Sequence, residues 1–207
     1  MEWSPQFAYA VGLVATDGSL SRDGRHIELT SADKEQIINF LYCLQRDNKI
    51  GMKRSGSGKL CFRTQVGDVV LYRFLTNIGV IPNKSKVLGR VKVPRRYFFD
   101  FLRGHFDGDG TFYSYFDPRW KKSFMFYTAF CSASSYHILW LRKAISTLAG
   151  VHGHITKSKN NSVYQLKYAK QESLQLLPKM YYDGRVVCLR RKRLKIKRAL
   201  RRIGEKI

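Results

Sequence analysis

Hydrophobic and polar positions in the first part of the chain predict a helix, a hairpin, a helix, a hairpin and a helix. Ser4 and Pro5 begin a helix that we expect to extend to about Thr16, with serine as the cap and proline in the first turn. Ile27 and Leu29 alternate with polar neighbours, the pattern of a sheet with one buried and one open face. Apolar spacing and turn residues predict the rest: a hairpin turning at 22–25, a helix over 31–45, a hairpin with its tip at Gly56-Ser57-Gly58, and a helix over 68–78.

The same order of elements recurs after a connector over 79–94. Three positions have counterparts 92 residues later, and these pairs are Gly12 and Gly104, Asp17 and Asp109, and Gly18 and Gly110. The second copy predicts a helix ending near 107, a hairpin to 131, a helix over 132–148, strands near 155 and over 163–168, and a helix over 172–182. Such internal similarity identifies a duplication. We predict an α+β fold of two pseudo-symmetric α-β-β-α-β-β-α repeats, over 1–78 and 95–207, the second including a basic C-terminal helix.

The two first hairpins differ in length. The segment Thr30-Ser31-Ala32 matches Cys131-Ser132-Ala133 at a distance of 101 residues, so the second copy has gained nine residues in its first hairpin. We expect these residues to form an extended loop over 117–122.

The duplicated glycines indicate close packing of the two first helices. A mid-helix glycine costs about 1 kcal/mol relative to alanine, and close approach of two backbones is the usual reason for accepting that cost. We therefore expect the helices to pack through Gly12 and Gly104, which places Asp17 and Asp109 side by side. Two carboxylates at the negative ends of helix dipoles repel, and Mg²⁺ held by them together with a substrate phosphate would neutralise that repulsion. An ordinary Asp-Gly turn explains either copy alone but not the matched pair.

Composition points to a polyanionic partner. The 207 residues contain 38 lysines and arginines against 15 acidic residues, for a formal net charge of +23, with 44% hydrophobic residues. A folded protein of this charge favours nucleic acid. No apolar run approaches the length of a membrane span, so we expect no membrane partner. The beginning of the chain has no signal-peptide pattern, which predicts an intracellular location, in the cytoplasm or nucleoid of a prokaryote or in an organelle of a eukaryote.

The polar faces of the two sheets, laid side by side, would form one long basic saddle with Asp17 and Asp109 at its centre. The amphipathic segment over 188–203 would dock on the body and offer its charges to phosphates, although a merely solvated face explains individual residues equally well. The residues that we predict to contact nucleic acid are Arg22, Arg25, His26, Glu28, Lys53, Lys59, Arg63, Tyr113, Tyr127, Gln165, Lys167, Arg190, Arg191 and Lys192.

The segments from Gly12 to Gly18 and from Gly104 to Gly110 resemble the motif of LAGLIDADG homing endonucleases of the single-chain, two-motif kind. The likeness extends over nearly the whole chain, and the segments 82–85, 97–104 and 188–192 are also similar to bacterial or archaeal members. It implies a monomer that cleaves both strands of a long asymmetric DNA target, roughly 20 base pairs, across the minor groove. Such enzymes act in the homing of mobile introns or inteins.

The resemblance also implies roles for particular residues. Asp17 and Asp109 would hold Mg²⁺, with Mn²⁺ or Ca²⁺ able to replace it for binding, and the neighbouring metal-site positions are Thr16, Gly18, Gly108 and Gly110. Arg63 and Lys167 would be the catalytic cations on the last strand of each half, and Glu28 would position solvent. Two positions depart from the family pattern: the earlier acidic position of the motif is Asp107 in the second copy but Ala15 in the first, and Arg63 stands where a lysine is often found.

Two other functions use the same basic surface. An RNA maturase would bind its own intron RNA and assist splicing, and a DNA-binding regulator would retain the scaffold without its chemistry. Neither needs both carboxylates, so the intact acid pair favours the nuclease.

Overall fold

The chain forms two pseudo-symmetric halves in this computed structural model, which describes residues 1–56, 58–157 and 162–207. The first half contains α1 (Pro5–Thr16), β1 (Gly18–Leu20), β2 (His26–Ser31), α2 (Lys34–Leu44), β3 (Gly51–Arg54), β4 (Leu60–Gly67) and α3 (Val69–Asn77). The second contains α4 (Phe98–Asp109), β5 (Thr111–Asp117), β6 (Trp120–Ser132), α5 (Ser135–Ala149), β7 (His154–Lys157), β8 (Tyr164–Tyr168) and α6 (Lys170–Met180), followed by α7 (Arg190–Arg201). The predicted α+β fold and its duplicated order are confirmed. Ser57, in the predicted hairpin tip, lies outside the described residues.

Each half builds one antiparallel sheet of four strands. The strand orders, β1-β2-β4-β3 and β5-β6-β8-β7, are the same in the two halves. On the inner face of the first sheet Ile27 and Leu29 are fully buried, whereas Glu28 between them lies on the opposite face. The period of two therefore gives each sheet a core face, covered by helices, and an open face.

The two halves meet through α1 and α4, as the glycine pattern predicted. A Cβ atom added at Gly12 would lie 2.2 Å from the Phe101 carbonyl oxygen, and one added at Gly104 would lie 2.1 Å from the Tyr9 carbonyl oxygen. No side chain fits at those distances, so the backbones approach as closely as glycine permits. This contact fixes the ends of both helices against each other.

The prediction of an extended loop over 117–122 is wrong. Residues Pro118 and Arg119 form a short turn, and the additional residues lengthen the strands instead, to seven in β5 and thirteen in β6 against three in β1 and six in β2. Aromatic and apolar residues on both sides of the turn, including Phe116 and Phe124, continue the pairing outward. The turn itself is stabilised by Asp117, which accepts hydrogen bonds from the Arg119 backbone and guanidinium.

The C-terminal helix α7 docks on the body of the protein. Ile196 and Leu200 are buried and α7 packs against β5 of the second half, while Arg190 and Arg191 at its start form ion pairs with Glu35 and Asp33 of the first half. The helix therefore joins the two repeats. Within the described residues, no helix combines the length and apolar character needed to span a membrane.

Candidate metal centre and nucleic-acid interface

Asp17 and Asp109 are brought together at the point where α1 and α4 end. Asp17 is the C-cap of α1 and Asp109 is the last residue of α4. Glycine at position 108 lets the two helix ends touch, because a Cβ atom there would lie 2.0 Å from Thr16 Oγ1 and 3.2 Å from Asp17 Oδ2. The two carboxylates thus emerge from touching helix ends at the junction of the halves.

Partial desolvation disfavours ionisation of both carboxylates, although Asp17 is half-buried and Asp109 is exposed as a whole residue. Burial, reinforced by the charge of Asp109, raises the pKa of Asp17 to about 6, and burial raises the pKa of Asp109. Carboxylates in such a site gain from a divalent cation, because hard oxygen donors suit Mg²⁺, Mn²⁺ and Ca²⁺. No cluster of three or more histidine, cysteine or acidic side chains suited to a metal occurs among the described residues. The protein can therefore supply two carboxylates, with water and a substrate phosphate completing the coordination, as is common for Mg²⁺.

The two carboxylates are held differently. Gln36 of α2 donates a hydrogen bond from Nε2 to Asp17 Oδ2 at 2.5 Å. The position 101 residues later is His137, whose ring lies against the Gly89 carbonyl oxygen, with Nδ1 2.8 Å away, instead of reaching Asp109. The repeats are symmetric in their backbones, but the environment of the acid pair is not.

Two buried lysines bind the carbonyl groups that end the motif helices. Lys84 follows α3 and donates to the carbonyl oxygens of Thr16 and Gly18. Lys192, at the start of α7, donates to the carbonyl oxygens of Phe106, Asp107, Gly108 and Gly110 at 2.6 to 3.1 Å. Each ammonium lies at the negative end of a helix dipole, where a cation is favourable. Burial lowers the pKa of each lysine to about 8, while the charges of Asp17 and Asp109 oppose that shift.

These lysines change the interpretation of the neighbouring positions. The backbone oxygens of Thr16, Gly18, Gly108 and Gly110, predicted as metal-site positions, already accept hydrogen bonds from the two ammonium groups. The four positions stay predicted metal-site positions, since a carbonyl oxygen that accepts one hydrogen bond retains a second lone pair. Lys192, predicted as a nucleic-acid contact, is buried, and its ammonium group donates hydrogen bonds to the carbonyl oxygens at the end of α4.

Sequence reasoning did not select Lys84. Its signal was present in the duplication, since a lysine follows the last helix of each repeat, at Lys84 and Lys192. The signal is weak because the intervening segments differ in length, and because an isolated lysine in a basic chain is normally a surface charge.

Asp107 occupies the earlier acidic position of the second motif and has a structural role. Its Oδ2 accepts hydrogen bonds from the Tyr9 hydroxyl at 2.8 Å and from the Leu189 backbone N–H at 2.7 Å. Burial raises its pKa to about 6. Asp107 therefore ties α1, α4 and the beginning of α7 together, away from the acid pair. Ala15, its counterpart in the first copy, is buried.

The predicted cations on the strands are placed on the open faces. Arg63 pairs with Glu28 at 3.5 Å, and Lys53 also binds Glu28. Lys167 lies opposite Ala129 of β6 and close to Cys131, whose pKa is raised by burial and by the charge of Asp109 and lowered by Lys192 and Lys167. Lys167 is thus in register, through Ala129, with Thr111, two residues after Asp109, whereas Arg63 is held against a carboxylate of its own sheet.

The other predicted nucleic-acid contacts form two groups. Arg190 and Arg191 are already paired with carboxylates of α2, and His26 contacts Asp23 with 2.5 Å between Nδ1 and Oδ2. The second group lies on or beside the open faces of the sheets and takes no part in the ion pairs of α7. Its members are Arg22, Arg25, Lys59, Tyr113, Tyr127 and Gln165, and of these Arg22, Arg25 and Lys59 are exposed.

Comparisons with known proteins identify the fold. Neither the protein-family models nor the curated proteins gave a match to the sequence. Among solved structures, the homing endonuclease I-WcaI bound to its DNA recognition sequence matches with a TM-score of 0.60 at 11% identity, over 94% of this chain and 88% of that one. Mesophilic variants of the homing endonuclease I-DmoI match with a TM-score of 0.57 at 14% identity, over 87% of this chain and 97% of that one.

A further similar structure is not named as a homing endonuclease. Full-length DUF199/WhiA from Thermatoga maritima matches with a TM-score of 0.60 at 14% identity. The match covers 100% of this chain but spans only 63% of the length of WhiA, whose N-terminal part is a LAGLIDADG domain. From the duplicated motif helices, the paired four-stranded sheets and these matches, we conclude that the chain has the LAGLIDADG fold of the homing endonucleases.

Proposed function

We propose that the protein is a metal-dependent endonuclease that cuts both strands of a long, asymmetric DNA site. One observation carries the proposal: Asp17 and Asp109 converge at the junction of the two halves, where burial raises the pKa of both. A protein that only binds nucleic acid gains nothing from a costly pair of partly desolvated carboxylates. A nuclease needs such a pair to hold cations at the scissile phosphates.

The residues fit a divalent cation. When bound, the ion supplies Lewis-acid polarisation of a phosphate and an activated water. I-DmoI, which shares the fold, has been solved in complex with DNA and Ca²⁺ and in complex with DNA and Mn²⁺. Mg²⁺ is the ion that we propose here, because two carboxylates and a substrate phosphate are its usual ligands.

The chain's own residues position the site and bind the substrate. Lys84 and Lys192 hold the ends of α1 and α4, and Gln36 orients the Asp17 carboxylate. Lys167, in register with Thr111 just after Asp109, would stabilise negative charge on the leaving oxygen. The basic open faces bind phosphates, and side chains on the strands read bases in the major groove. We propose that the protein acts as an intracellular monomer in the homing of a mobile intron or intein.

The acid pair provides the test. Asp17→Asn and Asp109→Asn should each reduce double-strand cleavage in Mg²⁺ to background while leaving the affinity for DNA within a few fold of wild type. The measurement is incubation with a library of duplex sites, followed by sequencing of the cut ends and a binding assay on the selected site. Asp183→Asn is the matched control, because this carboxylate lies after α6, its side chain is 42% exposed and its partner is Arg185. Wild-type cleavage by either motif variant would refute the proposal.

The same experiment separates the alternatives. An RNA maturase or a DNA-binding regulator would bind nucleic acid through the same basic faces, yet would cut no duplex in any metal, and the two motif substitutions would leave its activity unchanged. The retained acid pair favours the nuclease over both.

A further inference from the structure

Three tyrosines pack against one another on the second sheet, and we refer to Tyr113, Tyr115 and Tyr127 as the tyrosine stack. The ring centroids of Tyr113 and Tyr127 are 5.2 Å apart. The ring centroid of Tyr115 lies 6.5 Å from that of Tyr113 and 6.4 Å from that of Tyr127. The ring planes are within 16° of parallel. His154 approaches Tyr127 edge-on at 6.5 Å. These contacts make a continuous aromatic surface across β5, β6 and β7.

The tyrosine stack belongs to the open face of the sheet. Phe112 and Phe126, which alternate with its members along the strands, are 3% and 0% exposed in the core. Tyr115 is 40% exposed, and Met125 lies opposite it in the strand register. The stack therefore does not contribute to the core. It presents neutral, largely apolar groups on the face that we propose binds DNA.

The equivalent face of the first half has a different chemistry. Glu28 accepts from Lys53 and pairs with Arg63, so that sheet presents a network of charges and hydrogen-bonding groups. The residue opposite Glu28 on β1 is Ser19, whereas the corresponding pair of the second half is Thr111 and Ala129, followed on the same face by Tyr113 opposite Tyr127. The two halves of the protein would therefore present chemically different surfaces to the two halves of the DNA site.

A DNA duplex fits the surroundings of the tyrosine stack. Lys167 lies toward the acid pair, and Lys121 lies toward the exposed end of the hairpin, so cations flank the neutral surface on both sides. Because the rings pack against one another with parallel planes, they favour contact through their edges over stacking on an unpaired base. In the major groove, thymine is the base that presents an apolar group, its C5 methyl.

We propose that the tyrosine stack reads thymine methyl groups in the half-site bound by the second repeat. This inference rests on the proposed function. Tyr113 and Tyr115 follow Asp109 by four and six residues, roughly 13 and 20 Å along an extended strand. At 3.4 Å per base pair, that range places the thymines about four to six base pairs from the centre of the site.

Replacing thymine by uracil tests the inference, since it removes the methyl group and nothing else. Wild-type protein selects its target in Ca²⁺ from a randomised duplex library, and the selected duplex is then synthesised with uracil at single thymine positions. We expect affinity to fall roughly fourfold per methyl group at positions about four to six base pairs from the centre on one side. Uracil in the other half-site should leave the affinity unchanged.

A variant links the effect to the stack. Tyr115→Ser should bind thymine and uracil equally at the position about six base pairs from the centre, whereas Tyr136→Ser, which removes a tyrosine that is 71% exposed on α5, should keep the wild-type difference there. The measurement on wild-type protein needs no variant, so a folding defect cannot conceal the answer. Equal affinity of wild-type protein for uracil and thymine at every position would overturn this inference alone. Failure to select any duplex would overturn the proposed nuclease as well.

Discussion

Single side chains at the acid pair are placed at a cost to stability. Asp17 is half-buried and Asp109 is exposed as a whole residue, yet both carboxylates are partly desolvated, and the nearby cations Lys84 and Lys192 only partly offset that desolvation. A function-bearing residue in an unfavourable environment is a common feature of binding and catalytic sites. The pattern of spacing located both carboxylates, because a duplicated Asp-Gly at a helix end is a local feature of sequence.

Removing the charge of Asp17 should stabilise the metal-free protein. The folded-state pKa of about 6 exceeds the ordinary value of 3.8, so the folded protein binds this proton more tightly, and ionisation lowers stability as pH rises from about 4 to 6. Asp17→Asn should therefore raise the free energy of unfolding at pH 7 by about 1 to 3 kcal/mol. The gain should disappear below about pH 4. Urea unfolding in EDTA at both pH values measures it, and a loss of stability at pH 7 would contradict the argument.

Proton binding should also limit cleavage. A protonated carboxylate is a poor metal ligand, so the rate of DNA cleavage at fixed Mg²⁺ should decline as pH falls through about 6, the pKa of Asp17. Raising the Mg²⁺ concentration should move the midpoint of the decline to lower pH, because the metal competes with the proton. A pH profile at two Mg²⁺ concentrations checks this, and a midpoint independent of the metal would argue against Asp17 as a ligand.

At the level of helices and strands, the contact between α1 and α4 determines where everything else lies. Sequence reasoning anticipated this contact from Gly12 and Gly104, since a glycine inside a helix needs a compensating reason. The same reasoning failed for the first hairpin of the second repeat. Counting nine additional residues could not distinguish a long loop from long strands, because cross-strand pairing of residues such as Phe116 and Phe124 decides between them.

Alanine at the helix contact should be severely destabilising. Gly104→Ala removes a poor helix former, which taken alone would stabilise the helix by about 1 kcal/mol. Its Cβ, however, would lie 2.1 Å from the Tyr9 carbonyl oxygen, so the helices must separate, and we expect a net loss of at least about 3 kcal/mol. Gly89→Ala is the matched control, because its Cβ would meet no atom within 4 Å. Equal melting temperatures for the two variants would show that the contact is loose.

For the molecule as a whole, the excess of positive charge controls association with DNA. A net charge of +23 on a chain of 207 residues implies that binding releases many counterions. We expect the affinity for duplex DNA to fall by about 10³ or more between 50 and 200 mM salt. Binding isotherms over that range measure the slope, and Asp17→Asn should show the same slope as wild type. An affinity insensitive to salt would contradict a phosphate-dominated interface.

The sequence by itself determined the duplication, the order of helices and strands, the glycine contact and the identity of the acid pair, because each is encoded in local periodicity or in a repeated offset. Only the tertiary structure decided which charged groups serve the site. Lys84 and Lys192 reach the ends of α1 and α4 from later segments of each repeat, and Asp107 is directed away from the acid pair to Tyr9 and Leu189. These partnerships join residues far apart in the chain, and an ammonium or carboxylate finds its partner according to packing and burial, which spacing along the sequence does not specify.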